Sequence, residues 1–262
     1  MTSEYGNLIK ILEFYQLLGF KRLPFSLSQI KELSSLIEQQ PSIKISQSNV
    51  KEQSSDQQKS HEIEEIVHDD SESLSKLPVQ EALIRLREKI GDCTRCKLHK
   101  GRHTIVFGEG SDKLRLMFIG EAPGRDEDLQ GRPFVGQAGE LLTRMITNLG
   151  LKREDLYIAN IVKCRPPQNR NPEPDEVATC KPFLLKQIEI IKPAVIITLG
   201  AVATRNLLEK NASITALRGQ VFNFKGAHVV PTYHPAYLLR NRSAKWDTWN
   251  DAQKALKLLS QS

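Results

Sequence analysis

No stretch of this 262-residue chain approaches the roughly 18 consecutive apolar residues that span a bilayer, so no membrane helix is expected. No secretory leader precedes the first periodic segment, which points to the cytoplasm, where disulfides are rare. Cysteine is scarce, with four in the whole chain. In a reducing compartment these read as a metal or cluster site rather than as a disulfide framework. Residues 40–76 lack any aromatic side chain and any sustained periodicity, and are rich in Ser, Gln, Glu and Asp. A segment of that composition has too little apolar surface to offset its ordering entropy, and is expected to be a flexible acidic linker.

What is present fits a globular protein with an appendage. Hydrophobic residues make up 39% and charged residues 26%. The net charge of +6 is unevenly spread. Residues 1–39 balance, and 40–76 hold four lysines against eight acidic residues, so 77–262 carry about +10. A basic domain suits a polyanionic partner, nucleic acid first, although an ordinary solvated surface has the same charge.

Apolar spacing predicts helices over 5–18 and 26–37, a hairpin extension within residues 1–39 whose exposed face needs a partner. From about residue 77, strands and helices alternate. Helices are expected over 78–90, 138–149, 173–191, 201–209 and 244–259. Strands are expected over 114–119, 156–162, 194–199 and 227–231. This order implies an α/β three-layer sandwich around a central four-stranded, mainly parallel sheet. Ligands of such sheets sit at the carboxyl ends of the strands.

The cysteines form one C-x-x-C pair, Cys93 and Cys96, followed by the single residues Cys164 and Cys180. A four-cysteine zinc site usually draws on two C-x-x-C knuckles. The looser spacing suits a cubane iron–sulfur cluster, with one thiolate per iron. Spacing alone leaves both open.

The loops after the expected strands carry the remaining chemistry. The first ends in Gly120-Glu121-Ala122-Pro123-Gly124, a tight turn with exposed main-chain N–H groups. The second carries Asn160 and runs into Lys163-Cys164-Arg165-Pro166-Pro167. The fourth runs into His234-Pro235-Ala236-Tyr237-Leu238-Leu239-Arg240. A carboxylate, an amide and an imidazole on one rim form a candidate active site.

The series GEAPG (120–124), RPFVG (132–136), Asn160 with KCRPP (163–167), and HPAYLLR (234–240) resembles the family 4 uracil-DNA glycosylases over about residues 90–258. That resemblance implies a DNA-repair enzyme that flips uracil from single- or double-stranded DNA and hydrolyses its N-glycosidic bond. It implies a 4Fe–4S cluster on Cys93, Cys96, Cys164 and Cys180. Phe134 then matches the residue that stacks on the flipped base. Asn160 matches the amide that donates to uracil O4 and accepts from N3–H, a pattern cytosine reverses. His234 matches the donor to the departing uracil O2, Glu121 the acid that positions water, and Glu127 a second pocket acid. Pro235, Ala236 and Tyr237 would form a wedge at the minor groove, and Lys163, Arg165 and Arg240 would contact phosphates. The expected state is a monomer, with residues 1–39 free for a protein partner. The alternatives are an enzyme of altered base specificity and a cluster-bearing DNA-binding protein without catalysis. Glu121, Asn160 and His234 together disfavour the latter. The absence of a His-rich insertion near 132–136 disfavours covalent trapping of DNA.

Overall fold

The structure, a computed structural model, describes residue 74 and residues 76–262. The helical hairpin expected within 1–39 lies outside the described residues, as does nearly all of the expected linker. Leu74 is buried and accepts a hydrogen bond from the Leu77 N–H, so packed chain begins slightly before residue 77.

The helices, in chain order, are α1 (Val79–Ile90), α2 (Arg125–Gln130), α3 (Gln137–Asn148), α4 (Pro174–Ile191), α5 (Ala201–Leu208), α6 (Ile214–Leu217), α7 (Pro235–Arg240) and α8 (Ala244–Leu259). The strands are β1 (Glu109–Gly110), β2 (Leu116–Gly120), β3 (Tyr157–Asn160), β4 (Val195–Leu199), β5 (Phe222–Phe224) and β6 (Ala227–Thr232). They form one sheet in the order β1-β3-β2-β4-β6-β5. The central four run parallel, and β1 and β5 close the edges antiparallel.

β2, β3 and β4 are buried at every position, as expected of parallel strands covered on both faces. Successive side chains of a strand point to opposite faces. Met117, Ile119, Tyr157, Ala159 and Ile196 pack with Leu86 of α1, Phe183 and Leu184 of α4, and Leu207 of α5. Leu116, Phe118, Ile158, Val195 and Ile197 pack with Leu142 and Ile146 of α3 and Ala255 of α8. The sheet therefore lies between two helical layers.

The sheet has six strands where four were expected. The four expected strands are its parallel centre. The addition at one edge is a hairpin: Lys225 and Gly226 both take positive φ (48° and 85°) between β5 and β6, the two-residue turn that matches strand twist. The addition at the other edge, β1, is two residues long and offers too little pattern to be read from sequence. Three further helices add to those expected: α2 lies between the 120–124 and 132–136 motifs, α6 follows α5, and α7 forms inside the 234–240 motif.

The chain runs from β2 to β3 on one side, then crosses to β4 on the other. That reversal between β2 and β4 is the place where ligands of open parallel sheets bind, at the carboxyl ends of the strands. Among the described residues, no helix is long and apolar enough to cross a membrane.

Candidate active site and cysteine cavity

Gly120 and Asn160, the last residues of β2 and β3, are register partners. A side chain at Gly120 would collide with Asn160 Oδ1, and its Cβ would lie 2.5 Å from Phe134 Cζ. Glycine is therefore what lets the amide and the ring approach the strand end from two sides. Asn160 is 1% exposed, and its Oδ1 is buried without a hydrogen-bond partner. Such an atom costs free energy unless a ligand donates to it.

Phe134 sits in the left-handed region at φ 52°, a conformation that costs about 1–3 kcal/mol and needs support from its surroundings. Arg153 Nη2 donates to the Pro133 carbonyl at 2.6 Å. Glu127 Oε1 accepts from Val135 N and Gly136 N at 2.9 and 3.0 Å, while its Oε2 accepts from Gly124 N at 3.1 Å. A Cβ at Gly139 would overlap the Phe134 carbonyl, so the start of α3 is glycine where this turn presses on it. Glu127 was expected as an acid facing the base. Both of its oxygens are instead taken by main-chain N–H groups, so it acts on the pocket through the loop that it holds.

His234 is the N-cap of α7, and its ring lies 5.7 Å from that of Phe134. Gly200, which follows β4 at φ 90°, makes room beside it: a Cβ there would lie 3.0 Å from His234 Cβ. The Ala236 N–H donates to His234 Nδ1 at 3.1 Å. An Nδ1 that accepts places the proton of a neutral imidazole on Nε2. Burial lowers the imidazole pKa to about 4, against the pull of Glu127, so the ring is neutral at physiological pH. Burial also raises the Glu121 carboxyl above its ordinary value, and Arg205 of α5 partly opposes this. Glu121 is only partly buried.

The structure moves one expected phosphate contact inside. Lys163 is 2% exposed, and its ammonium donates to Asn160 O at 2.9 Å and Gln187 Oε1 at 2.6 Å. It cannot reach a DNA backbone. Pro235 is likewise buried at the first turn of α7, where its missing N–H costs nothing. The exposed apolar residues of that helix are Tyr237 and Leu239, at 42% and 43%. Tyr237 stacks on Tyr233 with centroids 5.0 Å apart. Arg240 is exposed, and Arg165 Nε donates to Asn169 Oδ1 at 2.7 Å.

Cys93 and Cys96 follow α1, Cys164 follows β3 and Cys180 lies in α4. All four line one cavity with Ile90, Ile105, Lys163, Thr179 and Phe183. Arg102 binds the rim together: it donates to Cys93 O at 2.6 Å, to Cys164 Sγ at 3.5 Å and to Asp92. The Lys163 N–H points at Cys180 Sγ at 3.3 Å. Burial pushes the bare thiols of Cys164 and Cys180 up to about 11 and about 12. Among the described residues no three Cys, His, Asp or Glu side chains converge closely enough to hold a single ion. Four cysteine sulfurs on one cavity are a donor set that suits either a polynuclear iron–sulfur group or one tetrahedral zinc.

Sequence reasoning missed the brace made by Glu127, the buried seat of Lys163, and Arg102 against the Cys164 sulfur. Glu127 carried a signal, since it stands three residues after Gly124 at the start of a short helix. Lys163 and Arg102 carried none, because burial of a cation depends on partners distant in sequence.

Residues 107–258 match the family model described as the uracil DNA glycosylase superfamily. The chain is 51% identical over 166 residues to the type-4 uracil-DNA glycosylase of Thermotoga maritima, covering 63% of this chain and 86% of that protein. It is 47% identical over 184 residues to the type-4 uracil-DNA glycosylase of Saccharolobus solfataricus, covering 67% and 85%. Similarity to the type-5 uracil-DNA glycosylase of Pyrobaculum aerophilum is lower, at 34% over 146 residues.

Proposed function

The chain belongs to the uracil-DNA glycosylase superfamily, and from its type-4 relatives and the geometry at the ends of β2, β3 and β6 we propose how its own residues select and release the base. It is a DNA-repair hydrolase that removes uracil from DNA by cleaving the N-glycosidic bond. The observation that carries the residue-level reading is the unpartnered Asn160 Oδ1, enclosed beside Gly120 and Phe134. Uracil N3–H supplies the donor that this atom lacks. Cytosine N3 has no hydrogen and would leave two acceptors facing each other, which is a strong basis for rejection.

The flipped base enters between the Phe134 ring and the Asn160 amide, at a cost in unstacking of a few kcal/mol. His234 donates from Nε2 to uracil O2. The bond strengthens as negative charge builds on the leaving base, so it lowers the barrier more than it tightens binding. Neutral imidazole is the species required, and the Ala236 N–H on Nδ1 fixes that tautomer. Glu121, as a carboxylate, orients water toward the anomeric carbon and stabilises the cationic character of the sugar. Tyr237 and Leu239 are the side chains placed to fill the gap in the stack, in place of Pro235. Arg240 and Arg165 contact the phosphates that flank the lesion. The enzyme acts as a monomer.

Cys93, Cys96, Cys164 and Cys180 hold a 4Fe–4S cluster. The support is that four cysteines from three separate segments of the chain line one cavity. When bound, the cluster supplies bracing rather than bond chemistry, because its ligands join the loop after α1, the end of β3, and α4.

The test is incubation of the purified protein with otherwise identical oligonucleotides containing uracil, cytosine or thymine, single- and double-stranded, followed by alkali. Strand scission confined to uracil is expected. Equal scission at cytosine would refute the assigned role of Asn160.

A further inference from the structure

Lys163 is a fully buried cation whose side-chain partners are both neutral: the Asn160 carbonyl at 2.9 Å and the Gln187 amide oxygen at 2.6 Å. Among the described residues no carboxylate pairs with it. A buried ammonium without an anion is costly, and its neighbours normally include one. Lys163 also lines the cysteine cavity, and its own N–H faces Cys180 Sγ at 3.3 Å. One residue thus faces the Cys180 sulfur with its backbone N–H and the carbonyl at the end of β3 with its ammonium. Gln187 anchors this arrangement, since its Nε2 donates to Phe107 O at 3.0 Å and to Tyr157 OH at 3.1 Å.

We propose that Lys163 is a positioning residue with two linked tasks: its ammonium is the counter-cation of the metal–thiolate centre, and the same ammonium clamps the main chain of Asn160 in the register that uracil requires. This rests on the cluster reading above. Four thiolates around a 4Fe–4S core leave a net negative charge, which the cation balances across the cavity wall. The clamp holds the carbonyl of the residue whose amide carries the unpartnered Oδ1, so a shift at the cavity is felt at the base. The polar groups of Asn160 are thereby divided: its carbonyl serves the scaffold and its amide serves the substrate.

The test compares the full-length wild-type protein with Lys163→Met and Gln187→Glu. Measured are iron content, the reduction potential of the cluster, KM and kcat on a uracil oligonucleotide, and inhibition by free uracil. Lys163→Met removes the charge and the clamp. It is expected to shift the potential negative and to raise both KM and the inhibition constant of uracil about tenfold, the usual loss for one hydrogen bond from a charged donor, with a smaller change in kcat. Gln187→Glu sets an anion against the ammonium with little change of shape, and is expected to shift the potential the same way. Wild-type protein with iron, but with potential and uracil inhibition unchanged in Lys163→Met, would overturn this proposal and leave the cluster reading standing. Wild-type protein without iron would overturn the cluster reading and this proposal with it. If Lys163→Met does not fold, Gln187→Glu decides, and an unchanged potential in it overturns the proposal.

Discussion

His234 combines two roles that its sequence neighbours impose on it. As N-cap of α7 it must accept from Ala236 N, and that acceptance leaves Nε2 as the donor. Its pKa of about 4 keeps it neutral at every pH above that value, whereas an ordinary histidine charges near 6.5. The single-turnover rate should therefore show no step between pH 6 and 7. In the proposed mechanism Glu121 orients water as a carboxylate, and burial raises its pKa, so the rate should fall as the pH drops through a value above the ordinary 4.5. Glu121→Gln should remove that acid limb along with part of the rate. His234→Ala should lose about 10²–10³ in rate, with binding of undamaged DNA little changed. Rate–pH profiles of the three proteins check these outcomes. A wild-type inflection near 6.5 that disappears in His234→Ala would show that the histidine titrates as if exposed.

At the scale of elements, the sequence disclosed what local pattern controls. The parallel strands were legible because continuous apolar runs ending at Gly120, Asn160 and Gly200 leave few other readings. The cysteine set and the rim residues were legible for the same reason: each lies at a strand end or in a short motif. β1 was not, because its two residues pair only through contacts distant in the chain. β5 had a signal that went unread, the Lys225-Gly226 turn between alternating Phe222, Phe224 and Ala227, Val229. Lys163 and Pro235, expected as DNA contacts, have buried side chains, because charge and motif membership say nothing about which way a side chain faces. The close approach of β2, β3 and the Phe134 loop gives a test at this scale. Gly120→Ala places a Cβ against Asn160 Oδ1 and the Phe134 ring. It should abolish uracil excision, by at least about 100-fold, with a loss of stability of about 1–3 kcal/mol from overpacking. Thermal unfolding and excision assays on the same preparation would report both. Full activity in Gly120→Ala would mean that the amide and ring do not meet at that strand end in solution.

Across the whole molecule, the cysteine cavity ties three segments that are otherwise far apart in sequence. The wild-type protein should be brown, with broad absorbance at about 400 nm and iron rather than zinc. Cys180→Ser should lose that colour and unfold at lower temperature, because the buried face of α4 would meet a cavity without its ligand. A colourless wild-type protein carrying one zinc would contradict the assignment. Removing residues 1–73 should leave excision intact, since the described fold carries its own core and both sites. A shortened protein that folds but no longer excises uracil would make the N-terminal segment part of the active domain.

The central claim is that one enclosed amide decides which base is cut, and Asn160→Asp tests it most directly. The substitution keeps the shape and replaces the donor to uracil O4 with an acceptor, while a carboxylate can accept from the cytosine amino group. Single-turnover excision from matched U·G and C·G duplexes, wild type against Asn160→Asp, reads the consequence. The account predicts a fall of at least about 100-fold on uracil and a narrower gap between uracil and cytosine. An unchanged uracil rate with the original discrimination would contradict it.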